Sequence, residues 1–186
     1  MARLAALVAL LTALAVPTTA TASHATDPRA HWAKAGAEIH VDVGDCLSRS
    51  YWRPAVRAAI ADWSRSSVVT YHLVGCNSPL REFQVRNRNY GRTGWVGFAS
   101  STWPSGHFDT MVVGFNDYYG SRHNAAYRRG AACHELGHAL GLDHRSTSSC
   151  LAGSVSGDRP DPDQHDYDQL RSIYRHQDRP GTPRRL

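Results

Sequence analysis

The chain has 186 residues, with 21 Lys+Arg against 16 Asp+Glu and a formal charge of +5 at pH 7. That length suits one domain with a sizeable core. The basic residues are nearly all arginine, Lys34 being the only lysine. Arg81, Arg86, Arg88, Arg92, Arg122, Arg128, Arg129, Arg184 and Arg185 form neither a dense stripe nor a recognisable module, which argues against a nucleic-acid partner.

In chain order, the first residues read as a secretory signal over 1–22. Arg3 is a minimal positive region, Leu4 to Val16 an apolar core, and Ala20-Thr21-Ala22 a small-residue cleavage site. The apolar run is shorter than the roughly 20 residues a membrane span needs, so no anchor is expected. Residues 23–37 are polar and small, and predict a flexible arm. Glu38 to Val43 alternates, with Ile39, Val41 and Val43 on one side, as a strand does. Tyr51 to Ser64 follows as a helix: Pro54 sits near its start, and Trp52, Val56, Ala59, Ile60 and Trp63 recur at helical spacing. Val68 to Val74 and Glu82 to Arg88 read as two further strands. Strand, helix, strand implies a crossover and parallel neighbours. Trp95-Val96-Gly97-Phe98 reads as a short strand, and Asp109 to Phe115 as a strand inside the sheet. His107, between them, is expected as a structural or exposed histidine.

Asn124 to Leu140 predicts a long helix entered through Ser121–His123, with Ala125, Ala126, Ala131, Ala132 and Leu136 allowing close packing. It carries the run His134-Glu135-Leu136-Gly137-His138, continued by Ala139-Leu140-Gly141-Leu142-Asp143-His144. One helical turn separates His134 from His138, so both project from one face and can share a metal ion. Glu135 is rotated about 100° from His134 and suits a general base better than a ligand. Gly141 lets the backbone leave the helix in a left-handed conformation and return His144 as a third nitrogen ligand. Three protein ligands leave the fourth tetrahedral position for water, as a catalytic zinc site requires. Glutamate is scarce, with only Glu38, Glu82 and Glu135 in the chain, so this coincidence carries weight. Residues 145–149 and 152–160 are loop-like. Residues 157–162 (Gly-Asp-Arg-Pro-Asp-Pro) could hold calcium, but their spacing matches no calcium-loop motif. Asp163 to His176 predicts a last helix, with Tyr167, Leu170, Ile173 and Tyr174 on its apolar face. Residues 177–186 read as a disordered tail.

At residues 134–144 the chain resembles the metzincin zinc endopeptidases, most closely the matrixin-like branch with its HExxHxxGxxH signature. The resemblance extends loosely over about residues 37–176, including Gly94 to Ala99 and Asp166 to Leu170. It implies a metzincin-like α+β domain over 38–176. That domain is a mixed, twisted sheet of about five strands with an antiparallel edge strand, two long helices and a C-terminal helix. It implies Zn2+ held by His134, His138 and His144, with Glu135 as general base and later proton donor. Gly94, Trp95, Val96, Gly97 and Phe98 fall where the family has the sheet edge above its cleft, so a peptide substrate could add there as a strand. Residues 145–160 fall where the family lines the pocket beside the metal. The family's secondary zinc ligands cannot be assembled around His107. Leu151 stands where the family has the methionine of the turn beneath the metal; Leu is similar in volume and a thioether there packs rather than coordinates. The arm before residue 38 is too short for an inhibitory domain and lacks a cysteine that could cap zinc.

Cys46, Cys76, Cys133 and Cys150 form an even set suited to an oxidising compartment, with three connectivities open. Cys46–Cys76 and Cys133–Cys150 are favoured. The first ties a helix entry to the end of the next strand, and the second staples the metal-binding helix to the turn containing Leu151. The combined expectation is a secreted, monomeric zinc metalloendopeptidase acting on protein or peptide. The alternative is a catalytically inactive zinc-containing binding protein with the same fold.

Overall fold

In the computed structural model, which describes residues 30–77, 82–104, 106–144 and 149–178, one helix joins the first two strands of a five-stranded sheet and three more follow its last strand. The expected signal at 1–22 lies outside the described residues. Strand β1 (Ile39–Cys46) buries Ile39, Val41 and Val43 and exposes His40, as alternation requires. Helix α1 (Arg53–Trp63) starts with Pro54 in its first turn and buries Val56, Ala59 and Trp63. It crosses to β2 (Val69–Gly75), which pairs parallel with β1 from Ile39↔Val69 to Asp45↔Gly75.

Strand β3 (Phe83–Arg88) lies parallel on the other side of β1, and β5 (Thr110–Asn116) parallel to β3. Strand β4 (Gly97–Thr102) is the antiparallel edge, in the order β2-β1-β3-β5-β4. The edge begins two residues later than its sequence suggested. Trp95 and Val96 precede the ladder because the buried Asn116 draws this segment inward. Its side-chain amide donates to Gly91 O, Thr93 Oγ1 and Trp95 O (3.0, 2.9 and 3.3 Å) and its Oδ1 accepts from Tyr90 N (3.0 Å). The same Oδ1 accepts from Tyr118 N at 3.1 Å and so caps a one-turn helix α2 (Asp117–Gly120) absent from the sequence reading.

Helix α3 (Ala125–His138) opens on Asn124, whose side chain accepts from Tyr127 N at 2.9 Å. Ala131, Ala132 and Leu136 are buried as expected, whereas Ala125 and Ala126 are exposed. The helix leans on α1 and β2: Trp63 Nε1 donates to Cys133 O (3.0 Å) and Tyr71 OH to Leu136 O (2.9 Å). Helix α4 (Gln164–Ile173) begins with a reciprocal capping box between Asp163 and Asp166. It ends earlier than expected, so Arg175 and His176 lie beyond it. The chain turns at Tyr174 (φ −96°, ψ 23°), whose hydroxyl is tied to Leu140 O at 3.0 Å.

Of the arm expected over 23–37, residues 30–37 are described. Ala30, Trp32 and Lys34 are buried, and Trp32 Nε1 donates to Ala139 O at 2.7 Å. Ala139 and Leu140 follow α3, so their carbonyls have no partner in that helix, and Trp32 and Tyr174 supply the donors. At the other end Asp178 N donates to Lys34 O (2.8 Å) and Gln177 Nε2 to Gly36 O (3.0 Å), so residues 177 and 178 pack against the segment before β1. Residues 179–186 of the expected tail lie outside the described residues. Both favoured disulfides form, Cys46–Cys76 and Cys133–Cys150.

Candidate metal centre and cleft

The last turn of α3 presents His134 and His138 side by side, and the chain then reverses at Gly141 (φ +89°) to bring His144 beside them. A Cβ at Gly141 would also stand 2.7 Å from Ala30 O, so the turn needs glycine for space as well as conformation. The Nε2 atoms of His134 and His144 are 3.0 Å apart, and those of His134 and His138 3.1 Å. Edges of a tetrahedron with metal–nitrogen bonds of about 2.0–2.1 Å are about 3.3–3.4 Å, close to this spacing.

The opposite ring nitrogens are held by carbonyls. His134 Nδ1 donates to Cys150 O at 2.7 Å and His138 Nδ1 to Leu142 O at 2.8 Å. Such bonds fix the tautomer that leaves each Nε2 lone pair facing the centre. His134 and His138 are buried and His144 is partly exposed; burial lowers the His144 pKa, which favours its neutral form. The donor set, three neutral imidazoles aimed at one point, suits zinc.

Leu151 lies fully buried beneath this array. A Cβ on Gly137 would meet Leu151 Cδ2 at 2.8 Å and Trp63 Cζ2 at 2.7 Å, so the leucine presses directly on the backbone of α3 between His134 and His138. Leu151 N donates to Ser149 Oγ at 3.2 Å, and the Cys133–Cys150 bond ties this turn to the helix. The disulfide thus fixes the residue whose carbonyl orients His134.

Glu135 is 1% exposed, and burial pushes its carboxyl well above the usual carboxylate range. Its side chain runs under the start of β4: a Cβ on Gly97 would stand 2.8 Å from Glu135 Oε1. Gly94, Trp95, Val96, Gly97, Tyr127, His134, Glu135, Gly153, Ser154 and Val155 surround a cleft of about 190 Å³. Four of the five expected edge residues therefore border it. Phe98 does not, because side chains alternate along β4: its ring covers Gly114 and packs edge-on against Trp95 with centroids 5.5 Å apart. The expected pocket wall at 145–160 is met in part by Gly153, Ser154 and Val155, while 145–148 lie outside the described residues. In the stretch 157–162, Asp161 Oδ1 faces Arg129 at 2.5 Å and Asp158 Oδ2 accepts from Ser156 Oγ at 3.1 Å.

Two residues of this site were not singled out in the sequence. Tyr127 precedes His134 by two helical turns, and that spacing alone puts it on the same face. Asn116, which shapes the cleft rim through residues 90–96, left no such signal.

No protein-family model and no curated protein matches the chain. Among solved structures it is similar to two of myroilysin, at 16% identity in each case. One has a TM-score of 0.51 and covers 74% of this chain and 82% of that one. The other has a TM-score of 0.50 and covers 79% and 90%. A hatching enzyme zinc-protease from Oryzias latipes (medaka fish) is similar at a TM-score of 0.39 and 16% identity, covering 61% of this chain and 50% of its own. At such identities the likeness to myroilysin speaks to the fold. That fold is the mixed five-stranded α+β arrangement expected from the metzincin resemblance.

Proposed function

We propose that this chain is a secreted zinc-dependent metalloendopeptidase, in which His134, His138 and His144 hold the metal and Glu135 is the general base. The observation that carries this reading is the convergence of three imidazole Nε2 atoms, two of them oriented by carbonyls, beside a buried carboxylate at the floor of an open cleft. Zinc bound there supplies a Lewis acid that acidifies a water molecule and polarises a carbonyl. Glu135 accepts a proton from the attacking water, and the same carboxyl then protonates the leaving amine as the C–N bond breaks. Burial keeps the carboxylate poorly solvated and raises its basicity, which favours taking a proton from water.

Residues Gly94 to Gly97 border the cleft where β4 has a free edge, and a peptide can add there through main-chain hydrogen bonds. Affinity would then depend little on substrate sequence. The pocket wall formed by Gly153, Ser154 and Val155 would accept the side chain after the scissile bond. We read the catalytic domain as residues 38–176, after a signal over 1–22. The two disulfides favour an extracellular setting. No described helix is long and apolar enough to cross a membrane, and we take the protein to act as a monomer on protein or peptide.

The inactive binding protein was suggested by Leu151 in place of methionine. Its fully buried packing against Gly137 supplies the shape that position needs, and the buried glutamate favours the hydrolase.

The test is Glu135→Ala, with cleavage profiled on a mixed peptide library under a chelator control. The variant should keep its zinc and fold and lose activity by on the order of 10²–10⁴. Wild-type rates in that variant would refute the assignment of Glu135. No cleavage by zinc-loaded wild type across the library would restore the binding-protein reading.

A further inference from the structure

His107 is neither isolated nor simply exposed. It meets His31, from the segment before β1, and His176 and Asp178, from beyond α4, in a cluster whose donor atoms all lie within 4.8 Å of one another. His31 Nε2 is 2.9 Å from His176 Nε2. Asp178 Oδ1 is 3.0 Å from His107 Nε2 and 3.3 Å from His176 Nε2. The His31 ring stands nearly perpendicular to both neighbours, at 78° to His107 and 89° to His176.

Hydrogen bonds alone serve this arrangement poorly. An imidazole Nε2 carries either one hydrogen or one lone pair in the ring plane. His176 Nε2 faces His31 Nε2 and Asp178 Oδ1 at once, and cannot satisfy both. One cation at the centre satisfies all four donors together. These three spacings approximate three edges of a tetrahedron with metal–ligand bonds of about 2.0–2.1 Å.

The ligands are also held from behind. Asp178 Oδ2 accepts from Lys34 N at 2.7 Å, and Asp178 N donates to Lys34 O at 2.8 Å. The buried Lys34 sends its Nζ to Tyr174 O at 2.8 Å. His31 and His107 face each other across a parallel bridge, with Phe108 N donating to His31 O at 2.8 Å and His31 N to Gly106 O at 3.3 Å. Such backing orients the first ligands of a metal.

We propose that His31, His107, His176 and Asp178 form a second metal site that binds a divalent transition-metal ion, zinc best fitting three imidazoles and one carboxylate. Four protein donors fill a tetrahedron, so this site is closed and structural, unlike the three-histidine centre. It fastens the segment before β1, the β4–β5 connection and the segment after α4 at one point. The same segment supports the first centre, because Ala30 O abuts Gly141 and Trp32 holds Ala139 O. Metal bound at the clamp therefore steadies the turn that carries His144. The proposal stands whether or not the chain cleaves peptides.

The test is metal counting on the whole chain, freed of loose ions by gel filtration after zinc loading. Wild type should retain two zinc ions per chain. His107→Gln with His176→Gln should retain one, and so should His134→Gln with His138→Gln. A wild-type count of one that falls to none in the His134/His138 variant overturns the proposal. So does a second ion that survives in the His107/His176 variant. Should that variant fail to fold, Co2+ added to the His134/His138 variant decides: an intense four-coordinate visible spectrum supports the clamp, and a weak six-coordinate one refutes it.

Discussion

Replacing Gly97 by alanine should separate activity from stability. The added Cβ would stand 2.8 Å from Glu135 Cγ and Oε1 and 3.1 Å from Cδ. Carbon atoms settle at about 3.5–4.0 Å, so something must move by roughly 0.7 Å or more. Strand β4 resists, since Gly97 is paired with Phe115 in its ladder with β5. The carboxylate gives way instead, and at 1% exposure it cannot escape into solvent. Overpacking of this kind costs about 1–3 kcal/mol of stability. A general base misplaced by about 1 Å costs on the order of 10²-fold in rate, about 2.7 kcal/mol in the barrier. The assay is kcat/KM on a quenched fluorescent peptide, with zinc content and thermal midpoint measured on the same sample. Gly153→Ala is the control: it borders the same cleft, and its Cβ would meet nothing within 4 Å, so rate and stability should both hold. A folded, zinc-loaded Gly97→Ala with the wild-type kcat/KM would refute the placement of Glu135 as the base beneath the edge strand.

Leu151→Ala should destabilise the fold by about 2–5 kcal/mol in urea denaturation, because the side chain is fully buried. Leu151→Met should cost less than about 1.5 kcal/mol, and a larger loss would mean that the turn is built for leucine. Replacing Cys133 and Cys150 together by alanine removes a link between residues 17 apart and should cost about 3 kcal/mol. Because Cys150 O holds His134, zinc affinity should also fall by about 10–100-fold in a chelator competition, and an unchanged affinity would deny the carbonyl that role. The Tyr51 phenol is raised to about 12, first by burial and then by its hydrogen bond to Asp117. A raised pKa in the fold stabilises it below the unfolded value near 10, and that contribution is lost as pH rises through about 12. Absorbance titration of Asp117→Asn should show one tyrosine ionising at lower pH than in wild type; an unmoved titration would refute the pairing.

The cluster of His134, His138 and His144 was legible because its geometry is local. One helical turn separates His134 from His138, and a single glycine returns the third ligand, so spacing alone specified the cluster. The strands were legible for a similar reason, since Ile39, Val41 and Val43 declare their buried face by alternation. Other features depend on residues that meet only after folding. His31 and His176 are 145 positions apart and belong to segments read as an arm and a helix end. Asn116 has the composition of a turn residue and became the buried anchor of residues 90–96. Yet one distant contact had a local cause. A helix that breaks sharply at Gly141 to deliver a ligand must leave carbonyls behind it, and buried carbonyls require donors. The need was therefore written in the motif, but the identity of the donors was not. Trp32 and Tyr174 fill it from segments 142 positions apart. Trp32 adjoins His31 and Tyr174 lies two positions before His176, so the donors to the carbonyls left behind α3 come from the same two segments that carry those histidines.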